Sequence, residues 1–166
     1  MNRDLIPVTF ESWKEQVPKD IREDPLWEVE VYRLSLFASD VCWQDAGTLR
    51  EKRRTRSLAD QLYRSVGSIS ANVAEGFSRG TGKDRARFYE YALGSARESR
   101  DWYFKGRFVL GESVVDHRLD FMTQIIRLLL VMVPDQRGDE IREPGRSYEG
   151  SVSGDENLLE GVPFTA

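Results

Sequence analysis

The sequence predicts an all-α protein, an antiparallel up-and-down four-helix bundle, and three observations carry that expectation. Apolar residues recur at spacings of three and four over four long stretches. No stretch alternates with period two, and β-branched runs are short. Segments holding Gly, Thr or Pro separate the stretches, as expected where neighbouring helices are joined by short turns. A chain of 166 residues accommodates one domain with a real core.

The elements follow in chain order. Residues 1–24 hold Pro7, Pro18, mixed charge and scattered apolar residues such as Phe10 and Trp13. They read as an N-terminal extension outside the core, with a short helix over 12–16 that has Ser12 as N-cap and Glu15 at the reciprocal capping position. Pro25 suits a first helical turn. Leu26, Val29, Tyr32 or Arg33, Leu36 and Phe37 then define an amphipathic helix that is expected to end within 44–47.

The second long helix is expected from about Leu49 to Glu75. One stripe reads Leu58, Leu62, Val66, Ile69, Val73 and Phe77; a second reads Gln61, Ser65, Ser68, Asn72 and Glu75. Gly76 is its expected stop. Thr81 followed by Asp84 reads as an N-cap for a third helix, which Gly111 breaks. A fourth spans roughly 113–133, and Pro134 ends it. Residues 25–134 thus form the bundle. Residues 135–166, rich in Gly, Ser, Pro and acid, are expected to be a disordered acidic tail.

Composition narrows the chemistry. The single cysteine, Cys42, excludes an intramolecular disulfide, and the single histidine, His117, excludes a site needing two imidazoles. Met1 to Pro7 lack an apolar run behind the charge. The most apolar stretch, 125–133, is interrupted by Arg127 and is far shorter than the ~20 residues that span a bilayer. The expectation is a cytoplasmic protein with no membrane partner.

Net charge is −4, unevenly spread. Residues 50–107 hold fourteen Lys and Arg against seven Asp and Glu, and the rest of the chain holds ten against twenty-one. This asymmetry reads either as a basic face with acidic tails or as charges that solvate helix surfaces.

Polar and tiny residues at inward-looking helical positions suggest a paired network. Ser68 and Asn72 lie one turn apart, Glu75 follows Asn72 by three, and Ser95 precedes Glu98 by three. The small residues Gly67, Ala71, Ala74, Gly94 and Ala96 would let the helices approach closely. Inward glutamates can hold two irons in a bundle, but that site needs a Glu-x-x-His pair on each of two helices, so no metal and no cofactor are expected. The stretch from Gly76 to Lys83 is no phosphate loop: five residues rather than four separate Gly76 from Gly82, Asp84 replaces the hydroxyl, and a helix precedes it. No nucleophile–base–acid set is present, Cys42 has nothing beside it that would lower a thiol pKa, and no enzyme is expected.

The basic clusters remain. Arg53, Arg54 and Arg56 at the start of the second helix, with Lys83, Arg85 and Arg87 after the next turn, are the candidate nucleic-acid contacts. In an up-down bundle these groups lie at opposite ends of the second helix. The apolar residues of 125–133 point in nearly every direction, which implies a second covering surface and hence a homo-oligomer.

Three segments carry a resemblance: Gln61-Leu62-Tyr63-Arg64-Ser65, Ser68-Ile69-Ser70-Ala71-Asn72-Val73-Ala74-Glu75-Gly76 and Tyr91-Ala92-Leu93-Gly94-Ser95-Ala96-Arg97-Glu98. Together they resemble a bacterial four-helix-bundle family that includes proteins encoded in ribosomal-RNA intervening sequences and the accessory variability determinants of diversity-generating retroelements. The resemblance covers about 26–133. It implies a bundle that assembles as a ring, commonly a pentamer, without enzymatic activity. For the retroelement branch it implies binding of nucleic acid and of a reverse transcriptase. This chain departs from that branch, whose members are strongly basic, in its acidic total and long extensions. The expected function is a non-enzymatic, oligomeric accessory protein that binds structured RNA or DNA; the alternative is a scaffold that docks a partner enzyme such as a reverse transcriptase.

Overall fold

The computed structural model describes residues 9–137 and 159–165. All regular structure among them is helical, in six helices: α1 Phe10–Gln16, α2 Lys19–Arg22, α3 Glu30–Glu51, α4 Arg56–Phe77, α5 Gly82–Leu110 and α6 Glu112–Arg137. Short 3-10 turns at Pro25–Glu28 and Arg53–Thr55 lead into α3 and α4. Each long helix packs along the next, and α3 also touches α5 and α6. No described helix is long and apolar enough to cross a membrane.

The expected stripe on α4 faces the core: Leu62, Val66, Ile69 and Val73 are fully buried, while Leu58 and Phe77 at its ends are not. Thr81 caps α5 as expected, its Oγ1 accepting the Asp84 N–H at 3.1 Å, and Gly111 ends that helix. The anticipated close approach at Gly67 and Gly94 is absent, since a Cβ at either would meet open space. The helices approach instead at Gly76, where a Cβ would fall 2.7 Å from the Tyr89 ring of α5.

Several boundaries differ from expectation. Pro25 starts a separate turn, because the Asp24 carboxylate accepts the Leu26 N–H at 2.8 Å and extended Val29 breaks the path into α3. The latter helix runs past Gly47 to Glu51. A glycine within a helix costs about 1 kcal/mol, which burial of Ala46 and Leu49 outweighs. The 3-10 turn then delays α4 to Arg56. Pro134 lies inside α6 rather than ending it. The final turn is held to α5 by an Arg137–Glu90 ion pair at 2.8 Å.

Neither flanking segment stands apart from the core. Thr9, not Ser12, caps α1, accepting the Ser12 N–H at 3.2 Å. Phe10 and Trp13 are buried. The Trp13 ring lies 5.6 Å from Phe10, 6.1 Å from Trp27 and 5.3 Å from Phe37, and its Nε1–H donates to Asp40 Oδ2 at 2.7 Å. Aromatic rings bury large apolar areas, so two of them suffice to draw a short helix into the core. The tail expected to be disordered from 135 onward is helical through Arg137, and residues 159–165 lie against the helices with Val162 buried. Residues 138–158 of that tail lie outside the described residues.

The half of α6 expected to be apolar all round is mostly covered within one chain: Ile125, Ile126, Leu129, Leu130 and Val133 are buried, and Leu128, Val131 and Met132 are half-buried. Phe37, wholly buried, joins the N-terminal aromatics to Phe121 of α6 across 5.9 Å. Truncation of Phe37 to Ala is expected to cost about 3–5 kcal/mol, measured by urea unfolding.

Candidate functional site

The candidate cations sit where the helices end. Arg53 and Arg54 occupy the turn before α4, and Arg56 is the first residue of that helix; all three are exposed. The turn is pinned by the Thr55 hydroxyl, which donates to the Leu49 carbonyl. Arg56 Nε–H donates to the Arg50 carbonyl at 3.2 Å, while Arg50 pairs with Asp60 at 2.7 Å. Arg53 and Arg54 have no ion pair among the described residues.

The second group lies in the first turns of α5. Lys83 and Arg87 are exposed, and Arg85 is half-buried with a buried Nε that has no hydrogen-bond partner. Arg87 Nε–H donates to the Tyr91 hydroxyl at 2.8 Å. Arg79 stacks 4.4 Å from the centre of the Phe88 ring and pairs with Glu75. A helix rises 1.5 Å per residue, so the two basic groups are separated by the length of α4, about 33 Å. One chain therefore presents two basic ends rather than one patch.

Exposed aromatics accompany the cations. Phe108 is 85% exposed and Phe104 50%. The Arg107 guanidinium lies 4.1 Å from the Phe104 ring centre and 4.2 Å from that of Phe108. Trp43 of α3 and Tyr63 of α4, both exposed, meet edge to face at 5.7 Å.

The polar network expected from Ser68, Asn72, Glu75, Ser95 and Glu98 does not form. Glu75 and Glu98 are exposed, and the other three are half-buried. Their bonds stay within one helix. Ser68 Oγ donates to the Arg64 carbonyl, Asn72 Nδ2 to the Ser68 carbonyl and Ser95 Oγ to the Tyr91 carbonyl, while Glu75 takes Arg79 and Glu98 takes the Trp102 indole. Adjacent positions do the inter-helix work: the buried hydroxyls of Ser65 on α4 and Ser99 on α5 meet at 2.9 Å.

The main buried polar centre is elsewhere. Asp45 of α3 and Arg118 of α6 are each 1% exposed at the side chain and bond at 2.8 Å and 3.2 Å. The Tyr103 hydroxyl of α5 donates to Asp45 at 3.0 Å. Arg118 also donates to the Pro163 carbonyl at 2.8 Å and meets His117 Nδ1 at 2.9 Å. Sequence reasoning missed this centre, although a signal existed. Asp45 continues the apolar Val41–Cys42–Leu49 face, and Arg118 lies between Val114 and Phe121, so opposite charges occupy core positions of two helices.

Two groups at this centre are held in their protonated forms. Burial pushes the Cys42 thiol up to about 12, Asp45 adding to the rise and a hydrogen bond with Tyr103 opposing it. Burial likewise raises Tyr103 well above its ordinary value. Both groups stay protonated, and the thiol is fully enclosed. Among the described residues, no three His, Cys, Asp or Glu side chains come together as a metal-binding group.

Loss of one charge should leave the other buried and unpaired. Asp45→Leu or Arg118→Met alone is expected to cost about 3–5 kcal/mol, and the double variant much less; urea unfolding of all four proteins tests this coupling. Alkaline pH should also destabilise the protein. An unfolded thiol ionises near 9.0 while folded Cys42 keeps its proton to about 12, so rising pH between these values favours the unfolded chain. Unfolding titrations from pH 8 upward should show stability falling, and Cys42→Ala should remove part of the slope.

Residues 28–129 match the model of the 23S rRNA-intervening sequence protein family. No curated protein and no solved structure matches the chain. The family match takes in α3, α4, α5 and most of α6, together with the Asp45–Tyr103–Arg118 centre, and leaves α1 and the C-terminal segment outside it. The chain belongs to the 23S rRNA-intervening sequence protein family.

Proposed function

We propose that this chain is a non-enzymatic, nucleic-acid-binding accessory protein whose four long helices form an antiparallel bundle that assembles into a homo-oligomer. The observation that carries this reading is the pair of basic helix ends. Arg53, Arg54 and Lys83 project without ion pairs among the described residues, and phosphate backbones are bound by such cations. The family's name associates it with intervening sequences of 23S rRNA, which favours RNA as ligand. Two basic ends separated by the length of α4 suit an assembly, in which repeated copies give each end a continuous basic rim. A pentamer is the form proposed, and the protein acts without cofactor in the cytoplasm.

The exposed rings of Phe104 and Phe108 favour a second reading, a scaffold that docks a partner enzyme such as the reverse transcriptase of a retroelement. Salt separates the two. Fluorescence-anisotropy titrations of a structured RNA and a single-stranded DNA should show log affinity falling with log salt, by about 0.7–0.9 per phosphate neutralised. Binding should vanish in an Arg53→Glu/Arg54→Glu/Arg56→Glu variant with wild-type circular dichroism. Absence of binding to either ligand at low salt would leave the scaffold reading, and a monomer in sedimentation at micromolar concentration would remove the assembly.

A further inference from the structure

The C-terminal segment makes a set of contacts that the basic ends do not use. Leu159 offers its carbonyl to the Phe10 N–H of α1 at 2.9 Å. The chain then turns at Gly161, where φ is +74°. Val162 is 3% exposed, and Leu159 and Phe164 pack against the core on either side of it. The Pro163 carbonyl accepts from Arg118 Nη2 at 2.8 Å, the Phe164 ring lies 5.4 Å from the same guanidinium, and the Thr165 hydroxyl is 3.4 Å from that of Thr48. The segment therefore spans α1, α3 and α6.

These contacts join the packing of Val162 into the core to features of peptide recognition. One side chain, Val162, is inserted deeply, while Leu159, Pro163, Phe164 and Thr165 remain half-buried. Proline has no N–H to leave unpaired and enters an extended conformation with little entropy to lose. Arg118 supplies a donor to a main-chain carbonyl and a cation over a ring. The Asp45–Arg118 bonds do not need the segment, so when it lifts away water can take the place of the Pro163 carbonyl and no buried charge loses its partner.

We propose that the cleft framed by Phe10, Thr48 and Arg118 is a peptide-binding site for an extended aliphatic–proline–aromatic segment, which the chain closes with its own Val162-Pro163-Phe164 as a displaceable latch. Tethering fills the site. A segment on the same chain acts at an effective concentration in the millimolar range, so modest intrinsic affinity keeps the latch closed. Another segment of the same chemistry gains the site only by outcompeting it.

The test uses full-length protein and a fluorescein-labelled peptide of residues 159–165. A Val162→Asp/Phe164→Ala chain has lost its own latch and should bind the labelled peptide at least about tenfold more tightly than the wild type, whose latch competes. A peptide carrying Val162→Asp should bind neither. Equal binding to both chains, or no binding to the released chain, would overturn the proposal. Hydrogen exchange on the unaltered protein guards against a variant that misfolds. The Phe10 amide, which donates to the Leu159 carbonyl, should exchange faster than those of α3 to α6 yet slower than an unstructured peptide. Exchange only together with the core would make the segment a fixed part of the fold; exchange at the unstructured rate would mean that it does not dock. Either result would overturn the latch.

Discussion

Two charges deep in an apolar interior impose the condition on which the rest of the structure depends. Asp45 and Arg118 cannot be buried singly, because a lone ion loses its hydration with nothing in return. They are buried together, with Tyr103 completing the carboxylate's bonding. The three residues come from α3, α6 and α5, so satisfying the pair sets the rotation and axial register of three helices at once. Apolar side chains alone tolerate sliding and repacking; a carboxylate that must meet a guanidinium at 2.8 Å does not. Cys42 is part of the same environment, and its thiol is held protonated because water is excluded.

The remaining long helix, α4, is placed differently. On α4 the decisive contacts are the Ser65–Ser99 hydroxyl pair and the approach of Gly76 to Tyr89. Both join it to α5, while its apolar stripe fills the interior. This leaves the outer surfaces of α4 and α5 to carry charge, and the chain puts its cations there. The acidic excess lies outside 50–107, so the net charge of the whole chain says little about the potential at the helix ends. A protein acidic overall can still present a basic surface to phosphate.

The terminal segments change what that surface can be. Helix α1 and residues 159–165 lie against α3 and α6 and bond to each other through Phe10 and Leu159. They cover part of one side of the helices and leave the α4 and α5 surfaces with their cations and exposed rings. The exposed cations of α4 and α5 and the exposed rings of Phe104 and Phe108 therefore remain open to solvent.

The sequence by itself determined the helical class, the four long helices, the Thr81 cap, the break at Gly111 and the buried stripe from Leu62 to Val73. These are consequences of local chemistry and of a 3.6-residue period. It also placed the two basic groups at opposite ends of α4. Only tertiary structure decided which polar residues face inward. Successive residues on a helix differ by about 100°, so periodicity gives the direction of the apolar stripe but not the width of the arc that a neighbour covers. Ser65 and Ser99 fall inside that arc; Ser68, Asn72, Glu75, Ser95 and Glu98 fall at its edge or beyond. The same limit hid Asp45 and Arg118, since a charge on an apolar face is tolerable only if its partner arrives from elsewhere in the chain, across 73 residues here. The incorporation of Phe10, Trp13 and Val162 was likewise illegible locally, because it depends on the apolar surface that α3 and α6 present once packed.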